Sequence, residues 1–181
     1  MVIRALLLIT ALLISLFSGP NQAESFSRGQ IKAVYLYNFA SFVRWNSDSF
    51  SAHPDEFHFC SYQPNHAVVS ALAEIIKGEQ VNERQLILRI LEKNSPPENC
   101  QMLFVNRSDT KPRDIVREQL LTVSDQPDFA LSGGMIELYL DNNRIRPRVH
   151  LGQLSRAGLS ASSLLLSISD RITDSEMEPG R

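Results

Sequence analysis

Two cysteines, Cys60 and Cys100, are the residues of this 181-residue sequence best suited to chemistry. A thiol pair can form a disulfide, stay free, or hold a metal. No further Cys or His stands near either one at ligand spacing, which argues against zinc. The four histidines, His53, His58, His66 and His150, show no ligand spacing among themselves, so no metal is expected. Ser124 lacks the G-x-S-x-G elbow of a hydrolase nucleophile. No Walker loop and no G-x-G-x-x-G is present. Asp125 follows a predicted strand, and ligands often sit beyond such strand ends. A cap or Asx-turn is the stronger reading of it. With neither a nucleophile–base pair nor a metal set, the sequence reads as a non-enzyme that needs no cofactor.

Recognition chemistry is better represented. Tyr35, Tyr37, Asn38, Phe42 and Trp45 fall within one segment. Aromatic side chains are enriched at interface centres, although a core role is the stronger reading for most of these. Asn38 is the exception, because an amide in an apolar helix must bond buried backbone or reach a partner. Arg144, Arg146 and Arg148 alternate along one face of a predicted strand, with Ile145 and Val149 opposite. This basic stripe suits an acidic partner surface. A solvated edge that blocks aggregation is the stronger reading.

The compartment follows from the start of the chain. Arg4 precedes an apolar run from Ala5 to Phe17, and Ser18-Gly19-Pro20 breaks it before Ala23. That order of basic, apolar and small residues predicts a secretory signal over 1–23, cut after Ala23. The run is short of the about 20 residues of a membrane span, which disfavours the alternative of an uncleaved anchor. Export makes a single disulfide the leading reading of the two cysteines. A structural staple is favoured over a redox-sensitive brace. Closing the loop between Cys60 and Cys100 is worth roughly 4 kcal/mol in the chain-entropy model.

The mature 24–181 fits one domain. Arg4 is the only charge removed, so the net charge moves from −2 to −3. A pI near 6.1 argues against nucleic acid as a partner. An apolar content of 43% excludes general disorder.

Period and punctuation predict the elements. Gln30 to Trp45 is a helix apolar around most of its circumference. Strands are expected over Phe57–Tyr62, Leu86–Leu91, Cys100–Val105 and Leu121–Val123. Helices are expected over His66–Lys77, stopped by Gly78, and over Asp114–Leu120. Met135–Leu140 and Ile145–Leu151 flank Asp141-Asn142-Asn143 as a β-hairpin. Leu154 to Ile172 reads as one last helix. Pro147 cannot donate to a ladder, so its strand is expected at an edge or a bulge. The sum is an α/β fold: a mixed, mostly parallel sheet, helices on both faces, and a C-terminal β-hairpin plus helix. A single domain over 24–172 and a polar, frayed tail over 173–181 complete the layout.

These blocks resemble a family. Lys32-Ala33-Val34-Tyr35-Leu36-Tyr37-Asn38-Phe39-Ala40 with Phe42 and Trp45 is similar to the opening helix of YfiR-like periplasmic proteins. Phe59-Cys60, Cys100–Val105, Leu121–Asp125, Phe129, Gly133–Ile136, Ala157–Leu159 and Ser162–Leu165 resemble its later blocks in the same order. The resemblance implies a periplasmic, often dimeric α/β domain in which Cys60 and Cys100 are joined. It also implies a repressor of a membrane-bound diguanylate cyclase that binds the cyclase's periplasmic sensor part, and so affects cyclic-di-GMP and biofilm formation. A periplasmic small-molecule receptor is the alternative. The chain departs from the family at Pro147 and His150, and it lacks the second cysteine pair that some members carry.

Overall fold

The computed structural model describes residues 26–106 and 111–176. The expected signal segment and the end of the polar tail lie outside the described residues. Helix α1 (Arg28–Phe42) begins at a capping box. Ser27 Oγ accepts from Gln30 N–H at 3.2 Å, and Gln30 Oε1 accepts from Ser27 N–H at 2.7 Å. These bonds satisfy two donors that a helix start leaves orphaned. The helix ends at Phe42, earlier than the apolar pattern predicts. There Val43 turns extended and pairs with Ala161, so β1 (Val43–Arg44) and β9 (Ser160–Ala161) form a small separate ladder. Trp45 therefore lies beyond the helix.

The main sheet has eight strands in the order β10-β8-β7-β6-β5-β2-β4-β3. Its inner members are β2 (Glu56–Ser61), β5 (Met102–Val105), β6 (Leu121–Ser124) and β7 (Ile136–Asp141), joined in parallel. On the far side of β2 lie β4 (Arg84–Ile90), parallel to it, and the short β3 (Gln80–Val81), antiparallel to β4. The hairpin of β7 and β8 (Arg144–His150) is the other antiparallel pair. The sheet is thus mixed and mostly parallel, as the sequence predicts.

Two expectations fail here. Strand β8 is not an edge, because β10 (Asp170–Ile172) pairs with it in parallel. It is not bulged either, since its register with β7 runs unbroken from Ile136–Val149 to Asp141–Arg144. Pro147 is tolerated for a geometric reason. The His150 N–H donates to the Met135 carbonyl. Counting back along the antiparallel ladder places Pro147 opposite Leu138 at a pair that exchanges no hydrogen bonds.

The second failure is the last helix, which is two short ones. Helix α4 (Leu151–Arg156) ends at Gly158, whose φ of +69° suits glycine. The Leu159 N–H reaches back to the Leu154 carbonyl at 2.9 Å and the Gly158 N–H to Ser155 at 3.0 Å, closing the turn. Ser162 then caps α5 (Ser163–Ile168), and β10 follows. The C-terminal part therefore runs β8, α4, β9, α5, β10.

The two faces of the sheet are covered unequally. Alternation along β5 sends Met102 and Phe104 to one face and Leu103 and Val105 to the other. The first face is a broad apolar core. Leu36 and Phe39 of α1, with Val69 and Leu72 of α2 (Ala67–Ile75), cover Phe57, Phe59, Leu121, Ile136 and Val149. The second face has a smaller cluster of Cys60, Cys100, Leu103, Val105, Leu120 and Phe129. Ile115 of the one-turn helix α3 (Pro112–Ile115) packs at its margin. Gly134 is required beside this cluster, since a Cβ there would collide with the Phe129 ring.

Candidate functional site

The cysteines meet because parallel pairing brings β2 and β5 side by side, with Cys60 opposite Leu103. Cys60 and Cys100 are joined in a disulfide, with Cα atoms 6.0 Å apart. Both are buried, and no free cysteine exists.

The basic stripe is on the same face of the sheet as the disulfide, and most of it is already partnered. Arg148 lies over the Tyr139 ring at 4.3 Å and reaches Glu137 Oε1 at 3.3 Å. Arg146 bridges Asp141 Oδ2 at 3.3 Å and Asp170 Oδ1 at 2.9 Å. The Tyr139 hydroxyl donates to Asp170 Oδ2. Glu137 is 2% exposed and also accepts from the Ala130 N–H at 3.2 Å. Burial pushes its carboxyl above the ordinary carboxylate range, against the pull of the Ala130 N–H and Arg148. Only Arg144 is exposed and makes no ion pair among the described residues.

The α1 candidates divide in the same way. The Tyr35 hydroxyl donates to the Ile145 carbonyl at 3.1 Å, and that of Tyr37 to Glu79 Oε2 at 3.4 Å. Phe42 is half-buried against the core. Trp45 meets Phe57 edge-on at 5.0 Å, and its Nε1–H donates to the Gln101 carbonyl at 3.2 Å. Asn38 is half-buried, and its side chain makes no hydrogen bond among the described residues. It shares a helical face with Ile31 and Val34, both exposed. Leu164 and Ile168 on the neighbouring α5 are exposed too. Sequence reasoning missed all four, because a helix apolar all round does not reveal that the Ile31 and Val34 side stays open, and an unbroken helix from Leu154 puts Leu164 and Ile168 on its apolar stripe.

Asp125 serves the fold: Lys32 Nζ is 2.7 Å from its Oδ2, pinning α1 to the end of β6. A cleft of ≈ 510 Å³ opens between the end of α1 and β4. Arg44, Trp45, Phe50, Phe57 and Arg84 line it. Arg84 stacks over Phe50 at 3.9 Å, and its Nε is buried without a hydrogen-bond partner among the described residues.

A profile of the YfiR/HmsC-like family matches residues 29–170, from the first helix to the last strand. The chain belongs to this family. Membership points to a periplasmic, regulatory and non-catalytic family tied to diguanylate cyclase systems. No curated protein matches the sequence. Among the described residues, no helix is long and apolar enough to cross a membrane.

Proposed function

We propose that the mature chain is a periplasmic binding protein that represses a membrane-bound diguanylate cyclase through the cyclase's periplasmic sensor part. The family match over 29–170 carries this reading. The exposed apolar residues Ile31, Val34, Leu164 and Ile168, with the Asn38 side chain unbonded among the described residues, supply a surface suited to it. Apolar anchors beside an amide match the make-up of interface centres. Repression needs binding that prefers the inactive cyclase. Moving that equilibrium from mostly active to mostly inactive takes about 5.5 kcal/mol of differential affinity. A few hot-spot residues at about 2 kcal/mol each supply it. A homodimer belongs to the same reading, to be checked by sedimentation at micromolar concentration. Cleavage after Ala23, read by N-terminal sequencing of the exported protein, belongs to the same reading.

Deleting the gene in a strain that expresses the cyclase is expected to raise cyclic-di-GMP, and restoring the wild-type chain to lower it. An unchanged level rejects repression.

The cleft favours a second reading, a small-molecule receptor. Aromatic walls, two arginines and the unpartnered Arg84 Nε suit a small anionic ligand with a flat apolar part. A small molecule that co-purifies without any cyclase would favour it.

A further inference from the structure

His53, Glu56 and His58 each offer a ligand atom, and the three atoms lie within 4.8 Å of one another. His53 stands in the turn before β2, and Glu56 and His58 are in β2 itself. His58 is 4% exposed, and both of its ring nitrogens face acceptors. Nδ1 lies 2.9 Å from the Asn99 carbonyl oxygen, and Nε2 lies 2.6 Å from Glu56 Oε2. A carbonyl can only accept, so Nδ1 carries the proton and donates it there. The Nε2 lone pair then points at a carboxylate oxygen, an arrangement that calls for a cation between them. On the outer side, His53 Nδ1 lies 3.5 Å from the same Glu56 oxygen, and the two imidazoles stand 4.7 Å apart.

We propose that His53, Glu56 and His58 bind a divalent transition-metal ion, with zinc the best fit. Bonds of about 2.0–2.1 Å in a tetrahedron separate neighbouring ligand atoms by about 3.4 Å. The His53–Glu56 spacing already has that value, and the half-exposed Glu56 side chain can swing to widen its contact with His58. Two imidazoles and one carboxylate suit zinc, with copper and nickel as competitors. The hydrogen bond from His58 Nδ1 to a backbone carbonyl is the support that fixes the tautomer and orientation of a metal-bound histidine. One neighbour opposes the charge: Arg89 NH1 is 3.5 Å from His58 Nδ1. It sits at the nitrogen away from the metal position and is held by the Glu98 carbonyl at 3.0 Å. Exposure of His53 leaves a coordination position open to water, so the ion is exchangeable. Occupancy would tie the turn over 51–55 to β2. It would also tie it to Asn99, the residue before Cys100. The site does not depend on the repressor reading.

The test uses the untagged 24–181 chain, oxidised and stripped with chelator. Zinc sulfate is titrated against a chromophoric chelator, and histidine ring resonances are followed by NMR. One zinc per chain should bind at micromolar concentration, moving the His53 and His58 rings and leaving His66 and His150 in place. His53→Ala and Glu56→Gln sit at exposed or half-exposed positions and should leave the fold intact. Each should weaken binding at least about tenfold, a loss seen even for groups one shell further from a metal. No binding up to millimolar zinc would overturn the proposal. Unchanged binding in His53→Ala and Glu56→Gln would also overturn it.

Discussion

The two faces of the sheet are held by different forces. Under α1 and α2, large side chains such as Phe39, Phe57, Phe59 and Leu72 are almost wholly removed from water. The opposite face has the disulfide, the Arg148–Glu137 and Arg146–Asp170 pairs, and the His58–Glu56 contact, around a small apolar cluster. Where helices supply apolar area, burial suffices. Where only a one-turn helix and loops cover the sheet, specific links take over. The second face should therefore respond to redox state, pH and salt, and the first should not.

The apolar face gives the largest expected effect. Phe39→Ala should lower unfolding stability by about 3–5 kcal/mol through lost burial and the cavity left behind. In urea denaturation the loss should be the same with the disulfide intact or reduced, because distant sites add. Strong non-additivity would break the separation of the faces.

Replacing both cysteines with alanine comes next. A closed loop with a sequence separation of 40 predicts a loss of up to about 4 kcal/mol. An unchanged urea midpoint would show that the second face does not rely on its brace.

Glu137 makes the second face sensitive to pH. Its folded pKa is raised, mainly by burial. The stability it contributes is full below the ordinary Glu value of about 4.3 and is lost as pH rises through the raised value. Glu137→Gln should therefore gain on the wild type as pH is raised from about 4 to about 7. Glu137→Ala should lose about 1–3 kcal/mol at neutral pH, because the Ala130 N–H and Arg148 lose their acceptor. A flat difference between wild type and Glu137→Gln across that range would contradict a buried, costly carboxylate.

Tyr139→Phe is smaller, at about 0.5–1.5 kcal/mol, for the hydroxyl given to Asp170. Charge removal at the half-exposed Arg146 is the smallest and should shift the urea midpoint only at low salt.

The sequence made some of this legible and hid the rest for physical reasons. Strands with a period of two and the β7–β8 hairpin could be placed because local pattern decides which face each residue takes. Ser27 and Gln30 spell a capping box within four residues. The break at Gly158 was also written locally, but the apolar run from Leu154 to Ile168 masked it. Partners distant in sequence were out of reach. Arg146 reads as a free cation until Asp170 arrives through a parallel pairing 24 residues later. His53 and His58 look unrelated until a turn folds both toward Glu56. Pro147 misleads because its tolerance depends on which ladder position it occupies, and that is set by the register.

We propose that the open α1–α5 side is where a cyclase is gripped. Co-purification of a diguanylate cyclase from a detergent extract of inner membrane on the immobilised mature chain tests it most directly. The wild type should retain the cyclase, and Val34→Asp with Leu164→Asp should retain at least about tenfold less, as expected for loss of an interface anchor. The double variant should keep its fold by circular dichroism. Equal retention by both chains, or no cyclase on either, would rule out a grip through this side.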